Sequence, residues 1–497
     1  MFRGKVIGLL LALVATVLSV PAAEAMPTSG FRNPVLENGA DPQMVSHGGA
    51  YYLTYTRNDY IAVTKAASVT ELATAPEVVV WRDDTPSRCC YIWAPEMHFL
   101  QGKWYIYYTA TNSGHAVADH RMYVLESANP LGPYTFKGAL AAASDHYSLD
   151  GTVLTMPDGR LYAIWSGWEP GTERPQNLYI APMSNPWTTS GPRVLLSHPE
   201  HPWEMEHLSV NEGAAVLWRN GRLFLAFSAS GCTSPNYAIG LLTFHGGDVL
   251  DPAAWTKSPE PHFKASPANN AYGTAHNSFF TSPDGSETWI AYHAVTNPNG
   301  SCGGDRSTRV QRVEWRADGT PIFGVPVATS TTLRLPSGDP GASRLPNGDY
   351  VFRASHSGKA LDVAEASTQD NADVVQWLHH GNPNQVWRLR SLPDGTYELR
   401  ARHSNKLLTV GSSGDVVQRR FLPGAAQRWH IDAVAGGFRI SAKAGGHALS
   451  VDGAQLHDGA NVLASHYLYI PSQKWQITLR QNFSGACSST STATRSC

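Results

Sequence analysis

Five segments of the chain repeat one design, in which a turn is followed by a strand rich in aromatic residues. The segments are HGGAYYLTYTR, QGKWYIYYTA, PDGRLYAIWSGW, RNGRLFLAFSAS and DGSETWIAYHAV, and their strands are predicted to begin at Tyr51, Trp104, Leu161, Leu223 and Thr288. Each interval is long enough for a four-stranded antiparallel sheet with its loops. Five similar sheets in succession predict an all-β fold, a five-bladed β-propeller over residues 31–335.

A polar residue opens the strand that precedes each of these turns. The segments read ADPQMV, APEMHFL, LDGTVLTM, NEGAAVLW and AHNSFF, and their polar residues are Asp41, Glu96, Asp150, Glu212 and His276. The first strand of each propeller blade lines the central channel, so we expect the five side chains to converge at one mouth. The alternative is that each residue caps its own turn, which is the usual role of a single aspartate before a strand.

Converging carboxylates repel one another. Such a cluster is therefore expected to serve a function, to bind a cation or to have raised pKa values that keep some of the carboxyl groups protonated. Glycoside hydrolysis uses one carboxylic acid to protonate the leaving oxygen and a second carboxylate on the opposite face of the sugar. A third carboxylate near the acid raises its pKa. Calcium binding is the alternative use of such a cluster.

Four motifs carry a resemblance to a known family. NPVLENGADPQMV, IWAPEMHFLQGKWYIYYTA, SLDGTVL and VNEGAAVLWRNGRLFLAFS occur in order and together resemble glycoside hydrolase family 43. The resemblance implies a five-bladed propeller and inverting hydrolysis of arabinose- or xylose-containing polysaccharides. It implies that Asp41 is the general base, Asp150 the aspartate that modulates pKa, and Glu212 the general acid. Ala214 stands where the family often has proline.

The same resemblance implies further contacts in the site. Arg306 corresponds to an arginine that contacts substrate, with Arg309 as the alternative, and Glu96 is expected to order the inner channel rather than to catalyse. His276 corresponds to a histidine that faces a hydrated calcium or other cation, the alternative being a histidine satisfied within the core. The candidate walls of the sugar site are Trp93, Trp165 and Trp168, with core packing as the alternative. No cofactor is required for the chemistry.

Finer details of the sequence bear on specificity. NGADPQMV, CCYIWAPEMH, NLYIAPMSNPW and VPVATSTTLRLPSG resemble the arabinan-acting α-L-arabinofuranosidases, which implies release of terminal arabinose from α-1,5-linked chains. Alternatives within the family are an endo-arabinanase, an arabinoxylan arabinofuranosidase and a β-xylosidase. From other classes, the alternatives are a lectin with an inactive propeller and a calcium-stabilised structural propeller.

A second repeat follows a Gly/Pro-rich linker predicted over residues 336–347. NQVWRLR, AQRWHID and SQKWQIT place Trp387, Trp429 and Trp475 downstream of GKALDV, NKLLTV and GHALSV. These units resemble a ricin-B-type β-trefoil of carbohydrate-binding module family 13, over residues 348–480. The sugar-binding set implied for the first lobe is Asp362, Trp377, Asn384 and Gln385. Thr409 and Ser450 replace the acid in the other lobes, and a trefoil without sugar affinity is the alternative.

The N-terminus predicts export. Arg3 and Lys5 precede an apolar run, and AEA ends at Ala25, which together indicate a cleaved signal peptide over residues 1–25. A membrane anchor is the alternative, but the apolar run is short for a span. We therefore expect a secreted, extracellular, monomeric protein that acts on plant cell-wall polysaccharide, arabinan or alternatively arabinoxylan. The formal net charge of −2 gives no indication of nucleic-acid binding, and we expect no membrane association.

Six cysteines in an exported chain favour disulfides, and six allow fifteen pairings. One scheme joins Cys487 to Cys497 in a Ser/Thr-rich tail over residues 481–497, joins Cys232 to Cys302 between two loops, and leaves Cys89 and Cys90 as a vicinal pair.

Overall fold

The computed structural model describes residues 30–140 and 146–480. The predicted signal peptide and the Ser/Thr-rich tail with Cys487 and Cys497 lie outside the described residues. Within these two ranges no helix is long and apolar enough to cross a membrane. The helices of this part are short 3₁₀ turns at Val69–Glu71, Val117–Asp119, Pro202–Glu204, Pro252–Ala254, Pro267–Asn269, Ala364–Ala366, Pro383–Gln385, Asp452–Ala454 and Pro471–Gln473.

The first half of the chain forms a five-bladed propeller, as predicted. After β1 (Gly30–Phe31), blade 1 contains β2 (Gln43–His47), β3 (Ala50–Thr54), β4 (Ile61–Ala66) and β5 (Glu77–Trp81). Blade 2 contains β6 (Cys90–Leu100), β7 (Lys103–Thr111), β8 (Arg121–Ser127) and β9 (Thr135–Ala139). Blade 3 contains β10 (Ser148–Thr155), β11 (Leu161–Gly167), β12 (Asn177–Asn185), β13 (Thr188–Thr189) and β14 (Val194–Ser197).

Blades 4 and 5 complete the ring. Blade 4 contains β15 (Asn211–Arg219), β16 (Arg222–Ala229), β17 (Ala238–Phe244) and β18 (Trp255–Lys257). Blade 5 contains β19 (Tyr272–Thr281), β20 (Thr288–Val295) and β21 (Ser307–Arg312). The short strands β22 (Glu314–Trp315), β23 (Pro321–Ile322) and β24 (Leu333–Arg334) follow. Every pairing within the blades is antiparallel, and the innermost strands β2, β6, β10, β15 and β19 lie side by side around the axis, with β19 against β2.

The aromatic repeats correspond to the second strand of each blade. The strands β7, β11, β16 and β20 are buried along almost their whole length, because neighbouring blades cover both of their faces. Tyr107 of blade 2 and Trp165 of blade 3, for example, belong to one apolar cluster. Burial on both faces explains why these strands read as continuous aromatic and aliphatic runs rather than as alternating ones.

The N-terminal segment, residues 30–37, closes the ring on blade 5. β1 pairs with β24, and the Asn33 side chain exchanges hydrogen bonds with the backbone of Val310 in β21. The backbone N–H of Val35 donates to the carbonyl of Thr308 at 3.0 Å. The segment thereby covers the edge of β21, which would otherwise be free to pair with another chain.

The C-terminal domain is a β-trefoil of three four-stranded lobes, as predicted. The first lobe contains β25 (Gly348–Ala354), β26 (Ala360–Val363), β27 (Ala372–Trp377) and β28 (Trp387–Ser391). The second contains β29 (Tyr397–Ala401), β30 (Leu407–Val410), β31 (Val416–Arg419) and β32 (Trp429–Val434). The third contains β33 (Gly437–Ala442), β34 (Ala448–Val451), β35 (Val462–Ser465) and β36 (Trp475–Leu479).

The three repeated tryptophans form the centre of the trefoil core. Trp387, Trp429 and Trp475 are fully buried. Each indole N–H donates a hydrogen bond of 3.0 Å to a leucine carbonyl, of Leu361, Leu408 and Leu449 respectively. This exact threefold correspondence fixes which residues of the lobes are equivalent.

The trefoil packs on the N-terminal segment of the propeller. Asp432 pairs with Arg32, and Arg439 donates to the carbonyl of Asn33 at 3.0 Å. From the third lobe, Tyr467 and Lys474 both bond to Glu37. The segment that closes the ring is therefore also the segment that holds the trefoil.

Candidate active site

Close to the axis, each blade has a residue with left-handed backbone in its inner strand or, in blade 1, just before that strand. These residues are Asp41 (φ 55°), Ala94 (φ 42°), Asp150 (φ 56°), Gly213 (φ 55°) and His276 (φ 47°). In blades 2 to 5 the ladder shifts register at this point, which marks a β-bulge. A bulge bends the strand and redirects its side chains. The true structural equivalents across the blades are therefore these five positions, and Glu96 and Glu212 are not among them.

Four of the five predicted polar residues line one cavity of about 380 Å³ on the propeller axis: Asp41, Asp150, Glu212 and His276. Glu96 is the exception, because it lies beyond the left-handed Ala94 and its Oε2 is 3.0 Å from Nε2 of His98. The prediction that all five converge is wrong for Glu96. Glu212 immediately precedes the left-handed Gly213 and still lines the cavity. A Cβ atom on residue 213 would lie only 3.2 Å from the His276 ring, so this position favours glycine.

Asp41 is surrounded by donors and positive charge. Nη1 of Arg306 donates to its Oδ1 at 2.6 Å, and Oγ1 of Thr56 donates to its Oδ2 at 2.7 Å. Nδ1 of His276 lies 3.4 Å from Oδ1. Burial by itself would raise the pKa of this carboxyl, but Arg306 and His276 outweigh burial and hold the pKa well below its usual range. Asp41 is therefore ionised.

The backbone of Asp41 is fixed by a neutral histidine. Burial lowers the pKa of His293 to about 4. Its unprotonated Nδ1 lies 3.2 Å from the backbone N–H of Asp41 and accepts a hydrogen bond from it. The left-handed conformation at Asp41 is thereby held from the neighbouring blade.

Glu212 has the opposite character. Burial raises its pKa, against the effects of His276 and of two hydrogen bonds. Those bonds come from the Tyr237 hydroxyl to Oε1 at 2.8 Å and from Nε2 of Gln176 to Oε2 at 2.7 Å. A buried carboxyl with a raised pKa is suited to carry a proton at near-neutral pH.

Asp150 lies beside Glu212. Its Oδ2 accepts the backbone N–H of Gly213 at 3.2 Å, and its pKa is raised well above the usual range by burial and by the charge of Glu212. Nδ1 of His276, 3.9 Å from Oδ2, opposes that rise. Asp150 and Glu212 therefore share a site in which protonation of one affects the other.

The surroundings of His276 do not present a set of metal ligands. Nowhere in residues 30–140 and 146–480 do three or more His, Cys, Asp or Glu side chains form a group arranged to hold a metal ion. Burial lowers the pKa of His276, but the charges of Asp41 and Asp150 outweigh burial and raise the pKa overall. The raised pKa favours the protonated ring, which cannot bind a metal. The cation near His276 stays a prediction.

Two of the three candidate tryptophans line the cavity. Trp93 donates to Oδ1 of Asn58 at 2.8 Å and stacks on His120, and Trp168 stacks on Tyr147 with ring centroids 4.0 Å apart. Trp165 is fully buried and packs beside Tyr179 within the propeller core. The prediction of Trp165 as a substrate contact is wrong, because the strand β11 is covered on both faces.

The structure also distinguishes the two arginine candidates. Arg306 lines the cavity and bonds to Asp41, whereas Arg309 is buried elsewhere, with its Nη2 3.4 Å from the Tyr469 hydroxyl of the trefoil. Sequence reasoning missed Thr56, Gln176, Tyr237 and His293. Gln176 and Tyr237 lie at loop ends, outside the repeated segments and the family motifs, so neither pattern marks them.

Two of the predicted disulfides are present, Cys89–Cys90 and Cys232–Cys302. The second of them lines the cavity together with Arg306 and Tyr237.

A separate depression lies on the first lobe of the trefoil, where the predicted residues come together. Asn384 donates to Oδ1 of Asp362 at 2.9 Å, and Gln385 donates to Oδ2 at 2.8 Å. Trp377 lines the same depression and is 43% exposed, so its face is free to stack on a sugar. In the second lobe the equivalent glutamine, Gln427, donates to the hydroxyl of Thr409 instead, so that lobe lacks the carboxylate.

Comparison with known proteins identifies both domains. The family model of glycosyl hydrolases family 43 matches residues 31–321, and that of ricin-type β-trefoil lectin domain-like proteins matches residues 342–419. An extracellular exo-α-(1→5)-L-arabinofuranosidase of Streptomyces avermitilis is 41% identical over 344 residues, 65% of this chain and 70% of that protein. An α-L-arabinofuranosidase 43 of Humicola insolens is 40% identical over 369 residues, 71% of this chain and 76% of that protein.

Among solved structures, an α-L-arabinofuranosidase from Lactobacillus brevis superposes with a TM-score of 0.57 at 36% identity, covering 60% of this chain and 98% of that one.

Proposed function

The chain belongs to glycosyl hydrolase family 43, and from that premise we propose that it releases L-arabinose from the ends of α-1,5-linked arabinan with inversion. The observation that carries the proposal is the pair of carboxyl groups with opposite pKa shifts in one cavity, lowered for Asp41 and raised for Glu212. The names of the Streptomyces and Humicola relatives support arabinofuranoside as the substrate.

In the proposed reaction Glu212 is the general acid and Asp41 the general base. Glu212 donates its proton to the glycosidic oxygen as the bond to the anomeric carbon breaks. Asp41 takes a proton from a water molecule that attacks the same carbon from the opposite face. Inverting enzymes of this kind separate the two carboxyl groups by roughly 6.5–9.5 Å to leave room for that water.

The neighbouring groups support these two protonation states. Arg306 and His276 stabilise the Asp41 carboxylate, while burial keeps the proton on Glu212. Asp150 acts as a positioning residue for Glu212 through the Gly213 backbone. Trp93 and Trp168 offer apolar walls against which the carbon face of a sugar ring can pack.

We further propose that the first trefoil lobe binds the polysaccharide. Its carboxylate, Asp362, can accept hydrogen bonds from two sugar hydroxyls while Trp377 stacks on the ring. Binding would keep the propeller close to an insoluble or branched substrate and raise the effective concentration of chain ends. The extracellular relative and the predicted signal peptide support an extracellular, secreted location.

The test uses purified mature protein and debranched α-1,5-arabinan, with products followed by chromatography beside a Glu212→Gln variant. Arabinose alone from the earliest time points, absent in the variant, is the expected result. Proton NMR of the first product should show the inverted anomer. Oligosaccharides at early times would establish an endo-arabinanase instead.

An absence of products would overturn the arabinan assignment. Arabinoxylan and aryl xylosides would then distinguish the debranching and β-xylosidase alternatives. A chain inactive on all of them that still bound polysaccharide would be the lectin-like alternative.

A further inference from the structure

The Cys232–Cys302 disulfide lies in the wall of the catalytic cavity, between two blades. Cys232 belongs to the loop 230–237, which joins β16 to β17 in blade 4. Cys302 belongs to the loop 296–306, which joins β20 to β21 in blade 5. Both cysteines line the cavity, and their Cα atoms are 5.3 Å apart. The bridge therefore covalently closes the gap between neighbouring blades at the level of the reacting groups.

Each of the two loops ends in a residue that bonds one of the two proposed catalytic carboxyl groups. The loop of Cys232 ends at Tyr237, whose hydroxyl donates to Glu212 at 2.8 Å. The loop of Cys302 ends at Arg306, which donates to Asp41 at 2.6 Å. Nε of Arg306 also donates to the carbonyl of Gly303, next to Cys302, at 3.1 Å. Movement of either loop would thus displace a partner of the acid or of the base.

The loops also touch at a second point that leaves no room for a side chain. Gly300 has a φ of +77°, and a Cβ there would lie 2.4 Å from the carbonyl oxygen of Thr233 and 2.6 Å from the backbone nitrogen of Pro235. The carbonyl of Pro235 in turn accepts the backbone N–H of Gly273, next to the start of β19. The two loops form one joined wall rather than two independent flaps.

We propose that this bridged wall determines where the polysaccharide is cut, by closing the cavity between blades 4 and 5 so that only a chain end reaches Asp41 and Glu212. An internal bond can be cut only if the chain enters and leaves the site through openings on two sides. The covalent bridge removes the opening between these two blades. The inference rests on the proposed function, since it assigns a cause to its chain-end action.

The test compares the wild-type protein with a Cys232→Ser/Cys302→Ser variant on two substrates. Debranched α-1,5-arabinan reports where the chain is cut, and 4-nitrophenyl α-L-arabinofuranoside reports the single-sugar site. In the variant we expect arabino-oligosaccharides among the earliest products from arabinan. We expect kcat/KM for the aryl substrate to fall by about tenfold to a hundredfold, because Arg306 and Tyr237 are less well positioned.

Two further measurements keep the inference testable if the double variant does not fold. Folded protein can be treated with dithiothreitol, with bridge opening verified by alkylation and mass spectrometry. A Cys89→Ser/Cys90→Ser/Cys487→Ser/Cys497→Ser variant receives the same treatment, since Cys232 and Cys302 are then the two cysteines left in the chain and any effect comes from their bridge. A Gly300→Ala variant separates the loops with the bridge intact and should shift the products in the same direction.

The inference is overturned if folded protein without the bridge still yields only arabinose from long chains, whatever its kcat and KM on the aryl substrate. The bridge would then act on stability or on the positions of Arg306 and Tyr237, and not on where the chain is cut. The wild-type product pattern is determined first. Oligosaccharides from the wild-type protein would refute both proposals, whereas arabinose alone would support the proposed function whatever the variants do.

Discussion

Nη1 of Arg306 in blade 5 donates a hydrogen bond of 2.6 Å to Oδ1 of Asp41 at the entrance to blade 1. The two residues are 265 positions apart in the chain, and the ring closure brings them together. This contact is the leading reason that a buried carboxyl stays ionised, and it makes the proposed base dependent on the blade next to it.

Replacing Arg306 by methionine should move the acid limb of the kcat/KM profile to higher pH. Asp41 must be ionised to act as base, so activity falls as the pH drops through its pKa. Without Arg306 that pKa rises, because a close opposite charge that favours the carboxylate is lost. The profile is measured with an aryl arabinofuranoside. Arg306→Lys keeps a positive charge near Asp41 and should shift the acid limb less. An acid limb that does not move in the methionine variant would contradict the assignment of Asp41 as the base.

Replacing Tyr237 by phenylalanine should move the alkaline limb to higher pH. Glu212 must hold its proton to act as acid, and the Tyr237 hydroxyl bonds to the ionised form, which lowers the pKa. Loss of that bond removes a contact that favours the carboxylate, so the pKa of Glu212 rises. The same profile with Gln176→Leu should shift in the same direction. A shift to lower pH in either variant would show that these groups stabilise the protonated acid instead.

Glu96 and Asp150 offer a matched pair of carboxyl groups on adjacent inner strands. Asp150→Asn should lower kcat/KM by about a hundredfold, because Asp150 accepts the backbone N–H of Gly213 and so positions the neighbouring Glu212. Glu96→Gln should lower kcat/KM far less than Asp150→Asn does, since Glu96 pairs with His98 outside the cavity and acts on Asp150 only through its charge. Steady-state kinetics of both variants check this difference. Equal losses would mean that Glu96 participates in the site after all.

The first trefoil lobe is tested in the inactive Glu212→Gln background, so that the polysaccharide is not degraded during the measurement. Asp362→Ala should weaken binding by about tenfold, the cost of charge-assisted hydrogen bonds lost to the sugar. Thr409→Ala, the matched change in the second lobe, should have no effect. Affinity electrophoresis in arabinan gels measures both. Equal weakening by the two variants would assign binding to more than one lobe.

Asp432 holds two buried arginines where the domains meet. Asp432→Asn should cost about 3–5 kcal/mol, because Arg32 and Arg439 remain buried without their partner. Burial raises the pKa of Asp432, but the two arginines lower it overall to about 2. The native pKa is depressed, so this stabilisation is present above pH 3.8 and is lost as the pH falls towards 2.

Urea unfolding at pH 7 and at pH 3 measures this effect. The variant should be less stable at pH 7 and should lose less stability on acidification than the wild type. Asp158→Asn removes an exposed pair with Arg160 and serves as the control without measurable effect. A variant as stable as the wild type at pH 7 would show that the pair at the domain contact contributes nothing.

The sequence predicted the blades well because their second strands are buried on both faces, which makes Trp104 and Leu161 mark repeats directly. It predicted the three lobes because Trp387, Trp429 and Trp475 fill equivalent positions of one core. It misplaced Glu96 because the ladder of its inner strand shifts register around the left-handed Ala94, and polarity alone does not reveal that shift. It could not show that Trp165 is a core residue and Trp168 a cavity residue, since both belong to one aromatic segment. Trp165 lies within β11, which is covered on both faces, whereas Trp168 follows the end of that strand.

The contacts of Asp41 and Glu212 could be predicted only in part, for a different reason. Arg306 was found through its resemblance to a family motif, whereas Tyr237 and Gln176 are supplied by loops whose path depends on tertiary packing. Such residues contribute hydrogen bonds to Glu212 without any periodic pattern that would mark them.

The N-terminal segment has a consequence for the order in which the molecule is made. Asn33 is synthesised early, whereas its partner Val310 lies 277 residues later in the chain. Until β21 has been synthesised, the segment has no partner, and until the segment arrives, β21 is an open edge. The trefoil bonds to the same segment at Glu37 and Asn33. Closure of the ring and docking of the trefoil therefore fall late in folding, because the N-terminal segment has to wait until β21 and the trefoil have been translated.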